Sequence, residues 1–166
     1  MIFRASAEQQ NSAWQKLVKL IASHNEGLPS ELVQIIAGIT GLLACVAAAD
    51  GEFSEEERAH LRKELGRIRA FSKQAIDATL DSLSKQLKEI ANTAQHHCAR
   101  ALYELTDREQ RLEVLEVLID TAASDNELET SETNLLRRIT EQLGLSQDEY
   151  TAIQSKHRDK LSILKP

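Results

Sequence analysis

Proline is almost missing from this chain. Pro29 and Pro166 are the only two, so residues 30–165 contain none of the residue that removes a backbone donor and breaks a helix interior. Aromatic residues are scarce as well, at 4%. A core must therefore be assembled mainly from Leu, Ile, Val and Ala, a set that suits helices packed on helices. Positive charge is in deficit: 20 Lys and Arg stand against 26 Asp and Glu, for a net charge of -6. That balance argues against nucleic-acid binding, which depends on cations at phosphates. Cys45 and Cys98 are the only cysteines. They fall in apolar stretches and read as small buried hydrophobes of a reducing compartment, not as a disulfide framework. The first eight residues lack an apolar stretch of the signal-peptide kind, so a cytoplasmic protein is expected. Also missing are a phosphate-cradling glycine-rich loop, a nucleophile elbow and a His-Glu-x-x-His pair. Paired carboxylates could in principle do acid/base work, but that requires a cleft that shifts their pKa values. The expectation is a protein without catalytic activity.

What is present is helical periodicity, almost everywhere. An amphipathic segment runs from about Ala7 to Ser23, with Trp14, Leu17, Val18 and Ile21 on one face. His24 to Leu28 reads as a loop, and Pro29-Ser30-Glu31 as a helix start. Leu32 to Ala49 is then free of charge for 18 residues, at the lower limit for a membrane span. It has no basic anchor at either end and includes Gln34, Thr40, Gly38 and Gly41, so a helix buried in a bundle is the better reading.

Ser54 and Glu57 form a capping box that opens the next helix, whose apolar stripe is Leu61, Leu65 and Ile68. Ser72 caps a further short helix. From Leu80 to Leu105 the apolar positions keep helical spacing, with a break expected near Ser82 to Ser84. Thr106 is the expected cap of a helix with Leu112, Leu115, Leu118, Ile119 and Ala122 on its core face. Leu135, Leu136, Ile139 and Leu143 mark another helix, ended by Gly144, and a last one begins at Ser146. The spacing predicts a single all-α domain of seven to eight helices. Residues 1–29 form an N-terminal helix and loop, and residues 30–166 the helical domain proper.

The domain carries an internal repeat. Asp50-Gly-Glu-Phe-Ser-Glu-Glu-Glu57 and Asp125-Asn-Glu-Leu-Glu-Thr-Ser-Glu132 align at an offset of 75. The match extends outward from Leu43 on Leu118 to Arg62 on Arg137. It predicts two copies of one helix–loop–helix unit, about 32–70 and 107–145, related by a pseudo-twofold axis. Each loop gathers three carboxylates behind a helix C-terminus, whose last carbonyls carry partial negative charge. Asp50, Glu52, Glu57, Asp125, Glu127 and Glu132 are thus candidate ligands of an all-oxygen site suited to Ca²⁺ or Mg²⁺. The alternative is that the loops are plain capping corners, with Phe53 and Leu128 as apolar anchors. An EF-hand is excluded, because the twelfth position is Leu61 in one copy and Leu136 in the other instead of Glu.

Other candidates are weaker. His96-His97-Cys98 cannot chelate one ion from neighbouring helix positions about 100° apart, and His24, His60 and His157 show no partner in the sequence. Arg58, Arg62, Lys63, Arg67, Arg69 and Lys73 read as a solvated basic face paired with Glu55, Glu56 and Glu64, or as a docking surface for an acidic partner.

The alanines ahead of each loop, the Asp-Gly-Glu-Phe-x-x-x-Glu-Arg run from Asp50 to Arg58 and its partner from Asp125 to Glu132 resemble the tellurite-resistance TerB family. The same module forms the N-terminal part of DjlA-type co-chaperones. The resemblance covers about residues 30 to 160. It implies an internally symmetric helical domain, an acidic surface that binds divalent cations or a protein partner, and a stress-response role in complexes at the inner face of the membrane. The six acidic residues above are those it carries over. Asn126 replaces the glycine of the first copy, a mild change because Asn tolerates left-handed geometry. No His-Pro-Asp tripeptide occurs, so neither a J-domain nor Hsp70 as a partner is expected.

Overall fold

The computed structural model describes the backbone of residues 2–49, 53–123 and 130–163, with side chains for residues 13–91, 93–123 and 130–156 of these. Among the described residues there are eight helices and no strand. They are α1 (Ile2–His24), α2 (Ser30–Ala47), α3 (Glu55–Leu65), α4 (Lys73–Thr93), α5 (Gln95–Leu105), α6 (Arg108–Ala123), α7 (Thr130–Gln142) and α8 (Gln147–Ile163). The all-α expectation holds.

Helix α2 is the centre. It packs on α1, α4, α5, α6, α3 and α7, which explains its lack of charge. It is long and apolar enough to cross a membrane, yet 67% of it is buried inside the fold. That is the burial of a core helix. Leu42, Leu43 and Ile36 are among its fully buried side chains, each contributing about 1.5–3 kcal/mol. Its closest neighbour is α5. A Cβ on Gly38 would lie 3.0 Å from the Cys98 carbonyl oxygen, and one on Gly41 would overlap Cys98 Sγ and lie 2.9 Å from Leu17 Cδ2. The two glycines let the α5 backbone come down onto α2. Helix α1 begins earlier than its apolar stripe indicates, and its Leu17 and Ile21 join the same core.

The ends of the helices follow local chemistry. Ser54 Oγ accepts from the Glu57 amide at 3.1 Å and Ser72 Oγ from the Ala75 amide at 3.1 Å. Gly144, at φ +72°, closes α7 in a Schellman arrangement: the Leu145 amide donates to the Thr140 carbonyl and the Gly144 amide to Glu141. Two expectations need correction. Helix α4 runs uninterrupted through Ser82 to Ser84, because Ser84 Oγ donates back to the Asp81 carbonyl at 2.8 Å and is absorbed into the helix. The break falls instead at the fully buried Ala94, just after Thr93 has bonded back to the Glu89 carbonyl. Thr106 does not cap α6; its hydroxyl donates to the Leu102 carbonyl and finishes α5. Asp107 is the cap, in a reciprocal box in which the Gln110 amide donates to Asp107 Oδ1 at 2.8 Å and the Asp107 amide to Gln110 Oε1 at 3.0 Å.

The helices on either side of the acidic loops also agree at the 75-residue offset. Leu61 and Leu136 are buried, as are Leu65 and Thr140, and Ala47 and Ala122. Helix α3 packs on α6 and α7 on α2.

Two outcomes follow from this packing. Gly41→Ala forces a methyl group into the α2–α5 contact and should destabilise by about 1–3 kcal/mol; a urea midpoint equal to that of wild type would show that the contact has slack. The second concerns Glu149, which completes the α8 capping box: its carboxylate accepts from the Ser146 amide at 2.9 Å and pairs with Arg108. These bonds, the backbone one foremost, hold its pKa below the ordinary 4.5. A group with a depressed folded pKa contributes stability above its unfolded value and loses it as pH falls through the folded one. The melting-temperature gap between wild type and Glu149→Gln should therefore be widest near neutrality and close below about pH 4.5. A gap that stays constant down to pH 3 would exclude the charge as its source.

A candidate cation site on the α3–α6 edge

Of the six acidic residues proposed as ligands, Asp50, Glu52, Asp125 and Glu127 lie outside the described residues. Glu57 and Glu132 are described. Each is the third residue of its helix, α3 or α7, and each is buried, at 7% and 8% exposure. A carboxylate in a first helical turn is favoured by the helix dipole, and that is where both sit.

The structure brings together a different set. His60 and Glu64 lie four residues apart on one face of α3, and Asp120 approaches them from α6. One ligand atom from each lies within 4.8 Å of the other two. Glu64 is buried, with its side chain only 5% exposed. His60 Nε2 lies 3.0 Å from Thr121 Oγ1, and that hydroxyl donates to the Val117 carbonyl at 2.8 Å. The Thr121 hydroxyl thus ties one ring nitrogen of His60 to α6 and fixes the orientation of the imidazole. A hydrogen bond of this kind orients a metal-binding imidazole. One imidazole nitrogen and two carboxylates form a mixed donor set, compatible with a divalent cation of borderline character.

The electrostatics fit the same picture. Arg67 Nη1 donates to Glu64 Oε2 at 3.1 Å, and the arginine is 70% exposed while its partner is 5% exposed. A mobile surface guanidinium therefore supplies the positive charge that a buried carboxylate needs. Two other bases of this face pair with α4. Arg58 pairs with Asp81, and Arg62 Nε with Asp77 Oδ1 at 2.7 Å, both on α4. These pairs are between helices, so the expected pairing with Glu55 and Glu56 gives way to pairing across the α3–α4 contact.

The sequence reading missed this cluster. His-x-x-x-Glu on α3 was a legible signal, since residues four apart share a helix face. Asp120 was not legible, because only the α3–α6 packing carries it there. His96 and His97 sit edge to face, 5.9 Å between ring centroids, and burial, then His96 and Arg100, push the His97 pKa down. Cys98 is fully buried and its thiol is raised well above its ordinary range by burial; the Cys45 thiol is pushed up to about 12 by the same cause. Both cysteines are free and act as core residues.

These features define a small all-helical domain built around a charge-free central helix, with a buried acid in the first turn of α3 and of α7. Residues 33–155 match the family described as Tellurite resistance protein TerB. The chain is a member of the TerB family, with α1 in front of the matched region. No curated relative and no solved structure matches the chain at a significant level.

Proposed function

We propose that this TerB domain is a non-catalytic module that binds a divalent cation and works through a protein partner. One observation carries the cation reading: His60, Glu64 and Asp120, from two helices, present ligand atoms within 4.8 Å of one another. The nitrogen donor favours Zn²⁺ or Mn²⁺ at that cluster over Ca²⁺. Arg67 occupies Glu64 until an ion arrives and then swings out to solvent. The acidic corners, Asp50, Glu52 and Glu57 with Asp125, Glu127 and Glu132, form the second part of the reading, an oxygen-rich set suited to Ca²⁺ or Mg²⁺. Family membership supports treating α2–α3 and α6–α7 as two copies of one unit about a pseudo-twofold axis. It also supports a stress-associated role, with tellurite resistance as the family's eponymous case. We place the protein in the cytoplasm, reaching the inner face of the membrane only through partners, and assign it no nucleic acid.

The test is a titration of Zn²⁺, Mn²⁺, Ca²⁺ and Mg²⁺ into the chelator-treated full chain, read by calorimetry and thermal melting. At a hundredfold excess over Kd, mass action should raise the melting temperature by about 5–10 °C. His60→Ala and Asp120→Asn should weaken Zn²⁺ or Mn²⁺ binding by at least about tenfold, whereas Arg67→Gln should tighten it by removing a competing cation. Glu52→Gln and Glu127→Gln should weaken Ca²⁺ or Mg²⁺ alone. Melts unchanged by all four ions would leave a metal-free adaptor domain as the function.

A further inference from the structure

Helix α6 is apolar on two sides. Leu115, Leu118 and Ile119 face the core and are fully buried. Val114 and Val117, on another face, are only half-buried and line an open groove of about 770 Å³. Leu32, Ile35 and Ile39 form the opposite wall along α2, and Ile68 closes one end. All six aliphatic residues pack against the core from one side and stay half-exposed on the other. A concave, half-exposed apolar lining of this kind can receive the apolar side chains of a partner. Around the rim stand Glu113, Glu116 and Asp120, and at one end the buried Glu64 is paired with Arg67, the one guanidinium of the lining.

We propose that this groove is the docking site for a basic amphipathic helix of a partner protein. Three features argue for that occupant. Along α6, Gln110 to Asp120 spans about 15 Å at 1.5 Å per residue, so the floor can take the i, i+3, i+4, i+7 anchors of a helix. Both walls are helices, and no strand edge exists among the described residues. An extended peptide would find no ladder to join, whereas a helix satisfies its own backbone. Finally, the rim acids Glu113, Glu116 and Asp120 attract lysine or arginine flanking an apolar stripe, and the same rim repels an anionic membrane surface. Glu113 and Glu116 belong to the rim alone, so the groove can be tested apart from the cation cluster, with EDTA present throughout.

The probe is a fluorescein-labelled helical peptide of about 15 residues, with leucine at the anchor positions and lysine at the rest. Its twin carries glutamate in place of lysine. Anisotropy with the full chain should show the lysine peptide binding at least about tenfold more tightly than the twin, and progressively less tightly as salt rises. The exposed double variant Glu113→Lys/Glu116→Lys, its fold checked by circular dichroism, should lose at least about tenfold in affinity. Glu141→Lys, outside the groove, should bind as wild type does. The proposal fails if the twin binds equally, if the double variant binds like wild type, or if neither peptide binds. It also fails if the full chain, without peptide, co-sediments with vesicles of phosphatidylcholine and phosphatidylglycerol.

Discussion

The contact between α2 and α5 is the constraint on which the rest depends. Gly38 and Gly41 remove the Cβ atoms that would hold the helices apart, and Cys98 and Leu102 fill the space. With α5 seated there, α2 is enclosed by α1 and α4 on one side and reached by α6 and α7 on the other. A helix contacted by six others cannot carry charge, because each buried ion would cost several kcal/mol unless paired. The uncharged run from Leu32 to Ala49 is the result. It resembles a membrane span in composition and differs from one in what surrounds it.

The polar features occupy the margins of this core. Buried Glu57 and Glu132 sit in the first turns of α3 and α7, where the helix dipole favours an anion. Glu64 is buried two turns further along the same face of α3 and is held by a surface arginine. Helix α3 is clamped to α4 by Arg58–Asp81 and Arg62–Asp77, while its other side meets α6. Exposed pairs of this kind add little stability each, typically under about 1 kcal/mol. They lie on the α4 side of α3, while His60 and Glu64 lie on the side that meets Asp120 of α6. The α2–α6 groove is open beside the cluster. Cation cluster and groove thus share Glu64 and Asp120, two side chains whose charge bears on both.

Much of the fold was legible because it rests on local chemistry. Ser54 caps α3 as its spacing indicates, Ser72 is a cap although its helix, α4, runs 21 residues where a short one was expected, Gly144 takes the left-handed conformation at the end of α7, and the cysteines are buried. Errors arose where two local options compete. Thr106-x-x-Glu109 and Asp107-x-x-Gln110 are both capping patterns, and the fold uses the second because Thr106 closes α5. Ser82 and Ser84 look like a break, yet a serine that bonds back to its own helix leaves the helix continuous. Of the candidate site, the sequence conveyed the acidic corners and the third-position glutamates, since these repeat at a fixed offset. It did not convey the His60–Glu64–Asp120 cluster.

By itself, then, the sequence determined the helical class, the charge-free central helix, most of the helix ends and the acidic repeat. Each of these depends on residues within a few positions of one another, or on a pattern visible along the chain. Tertiary structure decided the rest: that α5 lies close against α2, that the helix break falls at buried Ala94, that Glu57 and Glu132 are buried, and that Asp120 meets a histidine sixty residues before it. The side of α6 left uncovered beside α2 was decided in the same way. Such facts depend on how helices distant in sequence are rotated against one another, and that rotation is set by the packing of the whole core.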